Sequence, residues 1–338
     1  MTKRINLALQ GGGAHGAFTW GALDRILEDE DIEIAAISGT SAGALNGAAL
    51  KAGLVRGGRT GARENLDWLW GRVGASSGGV FGDWLQSLAP TPAMFASALG
   101  NSAQYALADA TMRMLSPYAY GPFYRNPLTS IVDHFDFASI CAGEGPRFFV
   151  GATSVRTGKI RVFSGDEITT DAILASACLP TLFQAVEIDG EPYWDGGYAG
   201  NPPLFPLYET DLPDDILVIQ INPLVYEDTP RSAMAIQNRI NEISFNASLL
   251  RDLRAINFVK RLIADGTIRK GAMKDVLVHM IVDDALMNAL NVATKVSPTP
   301  ALLGQLKAAG RLAADAFLAR HKDDLNERAT VDLRAMFA

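Results

Sequence analysis

Cysteine is nearly missing from this chain. Cys141 and Cys178 are the only two in 338 residues, so no disulfide framework can be drawn, and no CxxC pair or Cys/His cluster proposes a metal site. Both read as buried thiols in a reducing compartment. Long apolar runs are missing too. No stretch reaches the ~18 apolar residues of a spanning helix, and the run after Met-Thr-Lys-Arg is too short for a signal-peptide core. The expectation is a cytoplasmic protein, with peripheral contact to a membrane left open. Basic stripes are absent: 30 Lys and Arg against 37 Asp and Glu leave a formal charge of −7. The electrostatic footprint of a nucleic-acid binder is therefore missing. Histidine is scarce, with four in the chain.

What is present is an alternation. An apolar strand at 5–10 runs into Gly11-Gly12-Gly13-Ala14-His15-Gly16 and a helix from about residue 17 to 28. A second strand at 32–38 runs into Gly39-Thr40-Ser41-Ala42-Gly43 and a second helix. Strand, glycine turn and helix, repeated, predict an α/β fold with a mostly parallel central sheet flanked by helices. Right-handed crossovers place both turns at the carboxyl ends of strands, where such sheets bind ligands. Further strands are expected at 147–155, 159–164, 215–222 and 276–282, and Asp189-Gly190 signals a hairpin turn. A helix over 229–265 has an apolar face through Ile236, Ile240, Ile243, Ala247 and Leu250. The chain from Pro300 on reads as helical. The stretch 75–126 interrupts the alternation. It is poor in charge and rich in Ala, Gly, Met and aromatics, and reads as a helical insertion.

Gly39-Thr40-Ser41-Ala42-Gly43 is a G-x-S-x-G at a strand-to-helix turn, the nucleophile-elbow pattern, and makes Ser41 the candidate nucleophile. Small neighbours are needed because the turn is tight, and the following helix aims its positive end at the site. The loop at 11–16 also fits G-x-G-x-x-G, the dinucleotide fingerprint. That reading wants a carboxylate at the end of the second strand, where this chain has Ser38-Gly39-Thr40-Ser41. A loop whose N–H groups stabilise an oxyanion is the better reading.

A serine hydroxyl needs a base. His134 and His321 lie in charged, surface-like contexts. His279 sits in an apolar strand and reads as a core residue, although its place after the serine keeps it open as a base. His15 belongs to the glycine loop, where it would orient or cap. Asp195-Gly196-Gly197 follows the hairpin strand, and an aspartate before two glycines is commonly a turn residue.

The ordered set changes that. The glycine loop, G-x-S-x-G and Asp-Gly-Gly, with Ala175-Ser176-Ala177-Cys178-Leu179-Pro180 and Asn201-Pro202, resembles the patatin-like phospholipases over about residues 5–225. The resemblance implies a Ser–Asp dyad: Ser41 as nucleophile, Asp195 as proton acceptor. It implies an oxyanion hole from Gly11, Gly12, Gly13 and Ala42, with His15, Gly16, Gly39, Gly43, Gly196 and Gly197 supporting the motifs. The family commonly has Arg or Lys where this chain has His15. A histidine there is expected to be charged only in part near neutral pH. The dyad needs Asp195 made more basic by burial, and Trp194 is the sequence candidate for its shield, although strand alternation points its side chain to the opposite face.

The expected organisation is a catalytic domain over 5–225, with the insertion at 75–126 as a lid or acyl groove. A mostly helical extension over 226–338 packs on the same core. The expected activity is lipid acyl hydrolysis of phospholipase A, lysophospholipase or carboxylesterase type. Microbial polyester hydrolysis, or lipid or nucleotide binding without catalysis, are the alternatives. No cofactor, metal or nucleic acid is expected; the partner is an acyl ester substrate.

Overall fold

Two strands, each followed by a glycine turn and a helix, begin a sheet that has eight strands among the described residues. The computed structural model describes residues 2–76, 116–226, 229–231, 233–290 and 292–338. The strands are β1 Lys3–Leu9, β2 Ile32–Gly39, β3 Arg147–Ser154, β4 Ile160–Ser164, β5 Val186–Ile188, β6 Glu191–Asp195, β7 Asp215–Ile219 and β8 Leu277–Ile281. Their order is β5-β6-β3-β2-β1-β7-β8, with β4 also on β3. The five strands from β3 to β8 pair in parallel, and β4, β5 and β6 add an antiparallel edge. The mixed α/β architecture with a mostly parallel sheet is the expected one. The β5–β6 hairpin turns at Asp189-Gly190, both at positive φ, as its sequence requires.

The described helices are α1 Gly16–Ile26, α2 Ala42–Ser76, α3 Thr129–Val132, α4 Phe137–Cys141, α5 Thr170–Ser176, α6 Ala233–Ala264, α7 Asp284–Ala289, α8 Val292–Lys295, α9 Pro300–His321 and α10 Leu333–Met336. α2 breaks at Gly57-Gly58, whose backbone leaves the helical region. Both sheet faces are covered. Ile5, Leu7 and Leu9 of β1 and Leu217 and Ile219 of β7 pack with α1, α2 and α9 on one side. Ala8, Ile216 and Val218 pack with Leu249, Leu253 and Ile256 of α6 on the other. The period of two along each strand sorts these sets, and burial on both faces explains why the strands read as continuous apolar runs. α9 lies against α1 at backbone distance: a Cβ on Gly21 would stand 1.9 Å from the Lys307 carbonyl oxygen, and one on Gly310 2.0 Å from that of Phe18.

α6 departs from its sequence pattern. Ile236, Ile240 and Ile243 are 43%, 52% and 53% exposed. The buried line runs instead through Glu242, Asn246, Leu249, Leu253 and Ile256. Polar residues take the inward positions near the amino end because they hydrogen-bond loops at the sheet edge, as described below. Of the expected insertion, residues 77–115 lie outside the described part; Pro117–Phe123 forms a short 3-10 turn capped by Ser116.

The carboxyl ends of β1, β2 and β7 release Gln10–Gly13, Thr40–Ser41 and Gln220–Asn222 at one edge. The pairing of Ala152 in β3 with Asp195 in β6 brings the aspartate to this same edge.

Candidate active site

Ser41 sits between β2 and α2 with φ +55, a left-handed backbone unusual for a residue with a side chain. The turn is closed by contact. A Cβ on Gly43 would stand 2.0 Å from the Leu9 carbonyl oxygen, and one on Gly39 2.6 Å from that of Gly43. Gly16 is held against the Ala42 methyl in the same way. The Ser41 N–H donates to Ser176 Oγ at 2.9 Å, and Thr40 Oγ1 donates to the Gly200 carbonyl at 2.7 Å. These bonds hold a strained elbow whose serine is buried, 7% exposed.

Asp195 is fully buried. Its Oδ1 accepts the Gly197 N–H at 2.8 Å, its own N–H donates to the Cys178 carbonyl at 2.8 Å, and its carbonyl accepts from Thr153 Oγ1 at 2.8 Å. Oδ2 has no hydrogen bond of normal geometry among the described residues. Burial pushes the carboxyl up to about 7, opposed by the Gly197 N–H and by the Ser41 side chain. The Ser41 side chain thus favours the Asp195 anion. Strand alternation turns Trp194 to the other face of β6, so the expected shield is not the one found. Phe245 of α6 takes its place. A Cβ on Gly197 would stand 2.3 Å from the Phe245 ring, which meets Tyr198 edge-on at 5.0 Å between centroids. Gly196 is pressed on the Gly151 carbonyl, a Cβ there falling 2.1 Å from its oxygen. Burial, then the Asp195 charge, pushes both Cys178 and Tyr198 up to about 12.

The glycine loop divides into spent and unspent N–H groups. Gly11 packs on Ser41, where a Cβ would stand 2.7 Å from that of the serine. Its N–H is donated to Asn201 Oδ1 at 2.7 Å, so Gly11 leaves the expected set of oxyanion donors and becomes a spacer. Among the described residues, no hydrogen bond takes the N–H of Gly12, Gly13 or Ala42. Gly13 has φ +59 and lies under the Lys295 carbonyl, whose oxygen would be 2.4 Å from a Cβ. His15 corrects a second expectation. It is buried, with Nε2 at 2.8 Å from Thr294 Oγ1. Burial first, and the Lys295 charge second, hold it well below its ordinary value. His15 is thus neutral near pH 7 rather than partly charged.

The network under the loop was not legible in sequence. Gln10 Oε1 accepts the N–H groups of Ile221 and Asn222 at 2.9 and 3.1 Å. Asn222 Nδ2 donates to the Gly11 carbonyl at 2.7 Å. Asn201 N–H donates to Ser248 Oγ at 2.9 Å, and Asn246 Nδ2 to the Pro223 carbonyl at 3.0 Å. Ser176 and Asn201 stood within quoted motifs; Gln10, Asn222, Asn246, Phe245 and Lys295 carried no local signal.

The other three histidines stay away from this chemistry. His279 binds Asp215 Oδ1 at 2.9 Å and Thr330 Oγ1 at 3.1 Å, and Asp215 starts β7 at the opposite sheet edge. His134 Nδ1 donates to the Ser130 carbonyl, and His321 pairs with Asp324. Among the described residues, no group of three His, Cys, Asp or Glu could hold a metal, and no helix is long and apolar enough to cross a membrane.

Residues 7–208, more than half of the chain, match the Patatin-like phospholipase family. No curated protein matches the chain. Among solved structures it is similar to VipD from Legionella pneumophila, with 15% identity and a TM-score of 0.42 over 94% of this chain and 67% of that one. It is also similar to the ExoU–SpcU complex of Pseudomonas aeruginosa, with 16% identity and a TM-score of 0.31 over 96% of this chain and 61% of that one. The chain belongs to the patatin-like phospholipase family, and its activity falls in the general class of lipid hydrolases.

Proposed function

We propose that the chain hydrolyses lipid acyl esters, in the manner of a phospholipase A, lysophospholipase or carboxylesterase, through a dyad of Ser41 and Asp195. The observation that carries this is the meeting of a strained serine elbow with a fully buried aspartate pushed up to about 7. Such a carboxylate is a competent base near neutral pH, where an ordinary one is too weak. Ser41 Oγ attacks the ester carbonyl carbon as its proton passes to Asp195. The oxyanion forms beside the N–H groups of Gly12, Gly13 and Ala42, at the positive end of α2. Collapse of the intermediate breaks the bond to the alcohol, which leaves with the proton from Asp195. Water then attacks the acyl-serine, giving its proton to Asp195, and the acid departs as Ser41 is reprotonated.

Residues 5–225 act as the catalytic domain in this reading, with 226–338 as an extension that completes it by supplying β8, α6 and α9. Lipid substrates are met at a surface, and the exposed Ile236, Ile240 and Ile243 offer an apolar stripe for peripheral contact on the same helix as Phe245. Two measurements test the proposal. Purified protein should turn over an acyl-chain series of p-nitrophenyl esters and phospholipids, with Ser41→Ala inactive on all of them; turnover retained in that variant would contradict it. Ile240→Asp should lower turnover of vesicle-borne phospholipid while leaving a soluble ester unchanged, and equal losses on both would remove the surface role.

A further inference from the structure

The glycine loop lacks a charged side chain of its own, because His15 is neutral, yet a lysine from outside the family-matched region is built in beneath it. Lys295 ends α8 and its side chain is only 16% exposed. Its Nζ donates to Asn222 Oδ1 at 2.9 Å. Asn222 Nδ2 in turn donates to the Gly11 carbonyl at 2.7 Å. That carbonyl and the Gly12 N–H belong to one peptide unit. Lys295 also covers Gly13 with its own backbone carbonyl, and its neighbour Thr294 holds His15.

We propose that Lys295 is a positioning residue of the oxyanion site, polarising the Gly11–Gly12 peptide through Asn222 so that the Gly12 N–H becomes a stronger donor. The inference rests on the reading of Ser41 as nucleophile. Its physics is cooperative hydrogen bonding: a cation at one end of a chain of amides draws electron density along it, and in a dry interior that pull is barely screened. A carbonyl that accepts from a charged relay leaves the amide across the same peptide bond more acidic. The arrangement also holds the loop in place, since one residue touches Asn222, Gly13 and, through Thr294, His15.

The groups facing Lys295 are few. Burial holds the ammonium below its ordinary 10.5, opposed by Glu242 of α6, which stands 4.0 Å away and favours the charge. Glu242 is shared with Arg239 at 3.6 Å and with the Tyr226 hydroxyl. His15 is neutral throughout the alkaline range, and Tyr226, Tyr198 and Cys178 are all pushed up to about 12. Lys51 and Lys274 also lie below 10.5, so the alkaline limb is assigned to Lys295 by its movement in a Lys295 variant.

The experiment follows the rate of fluorophosphonate labelling and p-nitrophenyl ester turnover against pH in wild type, Lys295→Met and Lys295→Arg, with folding checked by thermal melting. The expected result is a kcat about tenfold or more lower in Lys295→Met, less than the loss from deleting an oxyanion donor outright, with KM within about twofold. Lys295→Arg, which keeps its charge, should keep most activity and move the alkaline limb upward. A folded Lys295→Met within twofold of wild type, or an alkaline limb unmoved in Lys295→Arg, overturns the proposal. If Lys295→Met does not fold, the wild type decides: a labelling rate flat up to pH 10.5 is the contrary result. Failure of the nucleophile reading looks different, since wild type would then not be labelled at all.

Discussion

Asp195→Asn should make the protein inactive and, above neutral pH, more stable. The substitution keeps the size of the side chain and an oxygen to accept the Gly197 N–H, and removes the negative charge. In the wild type that carboxyl rises from an ordinary 3.8 to about 7 on folding, chiefly through burial. The folded state therefore binds a proton that the unfolded state has released between these values. Stability from this group is full below pH 3.8 and is lost as pH rises through about 7. A shift of about three units corresponds to about 4 kcal/mol as an upper value. Urea unfolding of both proteins from pH 4 to 8 isolates the effect, because every other titrating group is common to the two. The difference in unfolding free energy should grow in favour of Asp195→Asn up to about pH 7 and then level. A difference that is flat with pH, or that grows in favour of the wild type, would refute the buried-base argument, whatever happened to activity. The gain is the stability cost of a catalytic group kept where packing alone would not place it.

Three further outcomes follow from the same geometry. His279→Ala should keep most ester turnover yet unfold more easily by about 3 kcal/mol, because it strips a buried partner from Asp215; loss of turnover in a folded variant would restore a histidine base. Phe245→Ala admits water beside Gly197 and should move the acid limb of the pH–rate profile down from about 7 toward 3.8; an unmoved limb would mean that other groups keep Asp195 dry. Gly43→Ala should abolish folding or labelling together, since its Cβ would fall 2.0 Å from the Leu9 carbonyl oxygen; a fully active variant would show that the elbow can relax.

What the sequence displayed was the local grammar. β1 and β2, their glycine turns and the hairpin at Asp189-Gly190 were readable because each is decided within a few residues by periodicity and turn chemistry. The convergence of Ser41 and Asp195 needed the family resemblance, since a strand pairing between Ala152 and Asp195 leaves no mark on either local pattern. The supporting shell escaped for the same reason. Asn222, Phe245 and Lys295 come from three separate elements after residue 220, and single polar or aromatic residues there look like any others. α6 shows the conflict most clearly: its apolar periodicity marks an exposed stripe, while buried Glu242 and Asn246 were invisible as inward residues because their value lies in hydrogen bonds to distant loops. The spent N–H of Gly11 is likewise decided by Asn201, and the neutrality of His15 by burial first and by the Lys295 charge second.

The central claim is that Ser41 forms the covalent acyl-enzyme with Asp195 as its base. Its most direct test is mass spectrometry of the intact protein and its peptides after reaction with a fluorophosphonate. The account predicts a single adduct on the peptide bearing Ser41 in the wild type, none in Ser41→Ala, and labelling slowed by orders of magnitude in Asp195→Asn. An adduct on another residue, or labelling that persists unchanged in Ser41→Ala, would contradict it.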